Sequence, residues 1–361
     1  MRVKELGVAV VGSGRMGELR AQLAANHPGV RFVACSDVDA ARAKRVAGKV
    51  GAQLHSGDNH AVIAHPDVNA VIISTPNHAH VEPILQAIEL GKAILCEKPM
   101  ALNVEDGRTI MDAIERRGAD VRYGYSRRFK ERYLHAKEQI LQGRLGRVVS
   151  VHARAYNLRS QAAVKRTNKI VESPVVSALT HYIDLVSWLL EGNEIVEVYA
   201  SGAKMGRSDG VADTINDVTW ALIKCADGAV LNVGICYGLP AGYPSRGLSS
   251  RVELLGSEGV LFIDGDNTDE IMYTEHAVPH VHLANQDANM VFLGSSTPGQ
   301  WAVGEFWGPL ATETRVWLDH QSTGRPCALA TAEDAWRSLR VSKAIERSEY
   351  SGTAVRVAEI T

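Results

Sequence analysis

The chain has 361 residues, more than one domain usually holds, and its 45% hydrophobic and 22% charged residues are those of an ordinary globular protein. Lys and Arg number 39 against 41 Asp and Glu, a net charge of -2, so the balance offers no footprint for nucleic acid or an anionic membrane and points to a small-molecule partner. Five scattered cysteines (Cys35, Cys96, Cys225, Cys236, Cys327) suit buried thiols in a reducing compartment better than a disulfide or metal framework. No run approaches the roughly 18 apolar residues of a membrane span. The apolar stretch 7–11 runs into a glycine turn, unlike a signal peptide, so a cytoplasmic protein is expected.

Residues 7–11, 30–35, 70–74, 93–96 and 121–125 are short apolar runs predicted as strands, with helical patterns in every gap. Parallel strands need crossover connections and helices must cover both faces, so this alternation predicts a doubly wound parallel sheet with its ligand at the strands' carboxyl ends. The expected architecture is an α/β Rossmann domain over residues 1–126. An α+β substrate-binding and oligomerisation domain follows over 127–330, built on a large open, mainly antiparallel sheet.

Gly12-Ser13-Gly14-Arg15-Met16-Gly17 follows the first run and opens a helical pattern, the context a dinucleotide fingerprint requires. Gly12 permits the tight turn, Gly14 lets backbone amides approach a pyrophosphate, and Gly17 lets helix and strand pack closely, while the helix N-terminus attracts phosphate. Asp37 lies 20 residues beyond Gly17 at the end of the second strand, where a carboxylate accepts both ribose hydroxyls of NAD. Val38 follows, with no arginine there to clamp a 2'-phosphate, so NAD is favoured over NADP, although Arg15 is within reach of the adenosine phosphate region. A plain turn and a helix-capping acid are the other uses of these residues.

Two more segments end parallel strands and are expected to face the same cleft: Ser74-Thr75-Pro76-Asn77-His78-Ala79-His80 and Cys96-Glu97-Lys98-Pro99. Ser74, Thr75, Pro76, Asn77, His80, Glu97 and Lys98 are the expected cofactor contacts. Beside a bound nicotinamide, Lys98 would hydrogen-bond the substrate oxygen and take part in proton transfer, whereas most lysines are merely solvated. Pro99 rigidifies its turn and is a position for a cis bond.

After Tyr125, alternating stretches at 148–156, 194–201, 218–225, 230–237 and 251–263 predict antiparallel strands, with turn signals at 226–228 and 256–259. A helix predicted over 174–190 carries His181, with Val176, Leu185, Trp188 and Leu189 as its buried side and Asp184 three residues on. Imidazole suits proton transfer near neutral pH; a core histidine held by Asp184 is the plainer use. Residues 267–304 show no sustained period and are expected to form loop. Thr331-Ala332-Glu333-Asp334 reads as a capping box opening a helix to about Arg347 that returns to the first domain.

The glycine loop, Thr75-Pro76-Asn77, Glu97-Lys98-Pro99, the Tyr125 to Phe129 stretch, His181-Tyr182-Ile183-Asp184 and the final helix, in that order, resemble the glucose-fructose oxidoreductase, inositol dehydrogenase and rhizopine-catabolism (Gfo/Idh/MocA) oxidoreductases. The resemblance spans most of the chain. It implies hydride transfer between NAD(P) and a secondary alcohol or ketone of a sugar, sugar derivative or inositol, in a homodimer or homotetramer, with Lys98 and His181 catalytic. Many members carry an aspartate four residues before this histidine, where this chain has Ser177, and paired glycines where it has Glu172-Ser173-Pro174. Arg154, Arg159, Lys165, Arg166 and Lys169 make the approach to that helix basic. With Ser177 they raise an alternative substrate, a carboxylated ring diol or other anionic cyclic hydroxy compound. Arg128, Tyr156, Asn157, Ser177 and Asp184 are candidate substrate contacts. A non-catalytic NAD-binding regulator is the reading from another class, and retention of Lys98 and His181 speaks against it.

Overall fold

The structure is a computed structural model that describes residues 4–162, 172–205, 215–240, 242–244, 248–266, 271–279, 287–292 and 299–361. It comprises two compact units, Met1–Lys130 with Trp301–Leu339, and Glu131–Gln300 with Arg340–Thr361.

In the first unit β1 (Leu6–Val11), β2 (Val30–Ser36), β3 (Leu54–Ser56), β4 (Ala70–Ile73), β5 (Ala93–Glu97) and β6 (Val121–Gly124) pair in parallel in the order β6-β5-β4-β1-β2-β3. A two-residue strand, Ala330–Thr331, runs antiparallel along β6. All six residues of β1 are buried, and successive side chains enter different cores. Val8 and Val10 pack with Ile72, Leu95 and Trp317, while Ala9 and Val11 pack with Val71, Ile73, Ile94 and Tyr123. Burial on both faces is why these strands read as unbroken apolar runs. The chain order reverses between β1 and β4, the switch point at which a crevice opens beyond the carboxyl ends.

Helices α1 (Arg15–Ala25), α2 (Ala40–Val50), α3 (Asn59–Ile63), α4 (Val81–Glu89) and α5 (Val104–Arg117) connect these strands. Asp39 caps α2 through the amides of Ala41 and Arg42, and Asn103 caps α5 through the amide of Asp106, each satisfying a donor that the helix leaves open. Residues 301–330, expected with the second domain, group with this unit: the helix Pro309–Thr323 delivers Trp317 and Leu318, both fully buried, to the core that holds Val8 and Val10. The expected capping box forms at the last helix, Ala332–Ser351. Asp334 N donates to Thr331 Oγ1 at 3.2 Å, and Thr331 N donates to Asp334 Oδ2 at 3.1 Å.

The second unit opens with α6 (Glu131–Leu141) and is built on β7 (Val148–Leu158), β8 (Ile195–Ala203), β9 (Val218–Cys225), β10 (Val230–Leu239), β11 (Leu248–Gly256) and β12 (Val260–Asp264), in the order β12-β11-β7-β10-β9-β8. A short strand, Val355–Arg356, pairs antiparallel with β8 at the edge. Only β7 and β10 pair in parallel; the long excursion between them lets the chain return in the same direction. One face of β7 is buried through Val151, Ala153 and Ala155, and α7 (Thr180–Leu189) packs on this strand. The opposite face leaves Tyr199, Leu222, Leu255 and Phe262 exposed.

The loop expected over 267–304 is corrected in part. Ile271–Pro279 and Asp287–Phe292 form an antiparallel pair, and Gln300–Ala302 pairs with Glu305–Trp307. The register shifts between Tyr273 and Val278, and that irregularity hides the two-residue period from a sequence reading. No helix among the described residues is long and apolar enough to cross a membrane.

Candidate active site

The glycine turn is built as its spacing requires. Gly12 has φ +91°, and a Cβ there would lie 2.6 Å from the Ser74 carbonyl oxygen; a Cβ on Gly17 would lie 1.7 Å from the Gly12 carbonyl oxygen. Both glycines are therefore structural necessities. Gly14, the N-cap of α1, is different: nothing lies within 4 Å of its Cβ position, so a ligand has room to reach the backbone where the first helical amides point outward. Buried Ser13 donates from its Oγ to Ser36 O at 3.0 Å, which fastens the turn to β2. Arg15 is exposed, and Met16 packs against the apolar cluster of Leu23, Phe306, Leu310 and Ala311.

Asp37, buried at the end of β2, takes four contacts from three donor nitrogens on its carboxylate. Ser13 N reaches Oδ2 at 2.8 Å, Asp39 N reaches Oδ1 at 2.9 Å, and Arg42 Nη1 lies 3.1 Å from Oδ1 and 3.2 Å from Oδ2. Val38 beside it is 87% exposed. The open backbone at Gly14, the helix terminus and the buried acid on the neighbouring strand together fit a dinucleotide, pyrophosphate at the first and ribose at the last.

The next two loops are tied together by His80. The Ser74 amide donates to Val11 O at 2.7 Å, Thr75 Oγ1 donates to Ala79 O at 3.0 Å, and Asn77 lies in a single 3-10 turn behind the exposed Pro76. The fully buried His80 ring places Nδ1 2.8 Å from Pro99 O and Nε2 3.1 Å from Thr75 O. Burial pushes its pKa below the usual histidine range, against the opposing pull of the two carbonyls and of Glu97. It spans two loops, a role its sequence position did not show. Lys98 is half-buried just beyond β5, and the Lys98–Pro99 bond is cis.

Glu97, expected among the cofactor contacts, turns its carboxylate to Arg20 of α1. Arg20 is fully buried: Nε lies 2.9 Å and Nη2 2.8 Å from Glu97 Oε1, Nη2 lies 2.7 Å from Glu313 Oε2, and Nη1 donates to Thr314 Oγ1 at 2.8 Å. Burial works against the Arg20 charge, but the two carboxylates outweigh it and hold the guanidinium protonated. Gly124 makes room for the pair, since a Cβ there would lie 2.8 Å from Arg20 Nη2. The signal for Arg20 was present, because Gly17, Arg20, Ala21 and Ala24 form the buried stripe of α1 and place a cation among small residues. Arg128, expected near substrate, is buried with Nη1 3.1 Å from Asp334 Oδ2 and so braces the start of the last helix.

In the second unit the helix over 174–190 forms in two parts. Val175–Leu179 is a π-helical turn, a widening common beside functional sites, and α7 continues from it. From Leu179 to Ser187 every residue is buried except His181, which keeps partial exposure; Asp184 is fully buried. Ser177 Oγ donates to Ser173 O at 2.9 Å, so its hydroxyl is turned to the backbone that leads into the helix. Strand alternation separates Tyr156 from Asn157. Asn157 lies on the buried face with Ala153 and Ala155, and Tyr156 lies on the other, where the Arg154 guanidinium sits 4.4 Å from its ring. Arg154 Nη1 also donates to Ser249 Oγ at 3.1 Å and Arg159 Nε to Gly238 O at 2.8 Å. Lys165, Arg166 and Lys169 lie outside the described residues.

This strand order, with a glycine turn opening α1 and a buried acid ending β2, defines a Rossmann dinucleotide-binding protein. Residues 6–125 match the family described as an oxidoreductase family with an NAD-binding Rossmann fold, and residues 133–262 match the GFO/IDH/MocA C-terminal domain. The chain is similar to inositol 2-dehydrogenase 1 of Saccharopolyspora erythraea, 28% identical over 355 residues that cover 97% of this chain and 96% of that protein. It is also similar to the scyllo-inositol 2-dehydrogenase (NAD(+)) of Bacillus subtilis, 30% identical over 71% of this chain and 72% of that one. In fold it matches the crystal structure of scyllo-inositol dehydrogenase from Lactobacillus casei with bound NAD(H) and scyllo-inositol, at a TM-score of 0.80 and 21% identity, covering 98% of this chain and all (100%) of that one. The chain belongs to the Gfo/Idh/MocA oxidoreductase family, and its cofactor is NAD.

Proposed function

We propose that the protein is a dehydrogenase interconverting a secondary alcohol and ketone of an inositol, sugar or sugar derivative, with Lys98 and His181 handling the hydroxyl proton. The structural observation that carries the roles is the partial exposure of His181 on a helical segment otherwise buried from Leu179 to Ser187. In oxidation the imidazole of His181 takes the hydroxyl proton while the Lys98 ammonium donates to the oxygen as negative charge grows on it. NAD, when bound, supplies the hydride acceptor. The same groups serve reduction in reverse. The first-turn amides after Gly14 are proposed to hold the pyrophosphate and Asp37 the adenosine ribose, with Ser74, Thr75, Pro76 and Asn77 bordering the cofactor. Arg20 and His80 are assigned to positioning, because their polar atoms are spent on Glu97 and Glu313 and on the two loop carbonyls.

A neutral polyol fits better than an anionic ring compound. Arg154 and Arg159, which suggested an anion site, are engaged with Tyr156, Ser249 and the Gly238 carbonyl. Five free cysteines, three of them buried, support a reducing compartment such as the cytoplasm. The apolar outer face at Tyr199, Leu222, Leu255 and Phe262 supports self-assembly into a dimer or tetramer.

The test is NADH formation from NAD over a panel of inositols, sugars and carboxylated ring alcohols, with Lys98→Ala and His181→Ala beside the wild type. Turnover of neutral polyols, lowered about 10²–10⁴-fold in either variant with NADH affinity unchanged, is expected. Tight NAD binding without turnover of any compound would instead support a regulator.

A further inference from the structure

Two oxygens of a carboxylate offer about four acceptor positions, and on Asp37 each oxygen already accepts from one backbone amide and shares one arginine nitrogen with the other. The amides are Ser13 N at 2.8 Å and Asp39 N at 2.9 Å, which the glycine turn and the start of α2 hold in place. Arg42 Nη1 lies astride the two oxygens, at 3.1 and 3.2 Å. A ribose diol donating to Asp37 therefore has to displace something, and only Arg42 is free to go. Its side chain is 41% exposed on a surface turn of α2, and it has a second seat, since Nη2 already lies 3.4 Å from Asp39 Oδ2.

We infer that Arg42 is a cofactor-specificity residue that competes with the NAD ribose for Asp37 and, once displaced, partners a 2'-phosphate, giving the protein a measurable affinity for NADP. The inference rests on the placement of the adenosine ribose at Asp37 proposed above. Asp37 alone would repel a 2'-phosphate; a guanidinium beside it supplies opposite charge and paired donors to phosphate oxygens. Val38, 87% exposed, builds no wall on that side. The determinant is thus not the residue after the acid, where an arginine would be sought, but the one five positions along, brought back by the first turn of α2.

The experiment measures equilibrium binding of NADH and NADPH by calorimetry to the full chain, as wild type, Arg42→Ala and Arg42→Lys. Alanine is a good helix former and position 42 is exposed on its helix, so folding is preserved and circular dichroism confirms it. Arg42→Ala is expected to leave NADH affinity unchanged or tighter and to weaken NADPH, moving their ratio toward NADH by about tenfold or more, with Arg42→Lys between. A ratio moving less than twofold while both nucleotides bind overturns the role of Arg42 and leaves the ribose placement standing. Equal weakening of both also overturns it, showing a general binding role. Failure of wild type to bind either nucleotide overturns the placement of the cofactor itself, and the inference with it.

Discussion

Replacing Arg20 with methionine removes a cation from a place water does not reach. The guanidinium is fully buried and lies 2.8 Å from Glu97, 2.7 Å from Glu313 and 2.8 Å from Thr314. Methionine restores much of the stem's packing but leaves two carboxylates facing the same space without their shared counter-ion. Removing one partner from a buried ionic group destabilises by about 3–5 kcal/mol, which at a urea slope of roughly 2–3 kcal/mol/M lowers the unfolding midpoint by about 1–2 M. Urea unfolding followed by circular dichroism at pH 7 reads the loss, and adding Glu313→Gln to the variant, which deletes one of the two charges, should recover more than about 1 kcal/mol. A loss under about 1 kcal/mol, or no recovery in the double variant, would refute the reasoning.

Gly14→Ala and Gly17→Ala should part company. The first meets no protein atom and its φ of -71° suits alanine, so stability should change by less than about 1 kcal/mol while NADH binding weakens at least about tenfold. The second places a methyl 1.7 Å from the Gly12 oxygen and should yield little folded protein on expression. Asp334→Asn should lower stability by about 2–4 kcal/mol at pH 7, because buried Arg128 loses its carboxylate. Burial tends to raise the Asp334 carboxyl pKa, but Arg128, the Thr331 amide and Arg337 outweigh it and hold the pKa below its ordinary value. Its stabilisation is therefore complete above the unfolded value near about 4 and lost as pH falls through the lower folded one; the gap between wild type and variant should close in strong acid and stay constant from pH 5 to 7. Phe262→Asp, placing a charge where a 67% exposed ring stands, should reduce the mass seen by light scattering if that face mediates self-assembly, and an unchanged mass would discard that face.

The parallel sheet was legible because strands buried on both faces leave an unmistakable apolar signature, and because Gly12 and Gly17 are demanded by backbone contacts under 3 Å. The antiparallel strands were legible by alternation, which also shows why Tyr156 and Asn157 cannot share a pocket. What escaped lay in long-range polar pairing. Arg20 with Glu313, Arg42 with Asp37 and Arg128 with Asp334 depend on which element the fold brings alongside, and no local period encodes that. The helix Pro309–Thr323 carried its own signs, a proline in the first turn and Gly324 at φ +73° after the end, yet its membership of the first unit was not deducible from its texture.

That helix and the one after it have a consequence for synthesis. The first unit needs Glu313 for Arg20 and Trp317 for the core around Val8 and Val10, and the second draws on residues 340–361, so each is assembled from segments distant in the chain. A ribosome that has released residues 1–130 has released a sheet lacking the helix that fills one side of it. The first unit therefore cannot finish folding until residue 339 has been made, nor the second until the residues beyond 340 have followed, and a break between residues 130 and 301 parts the two segments from which the first is built.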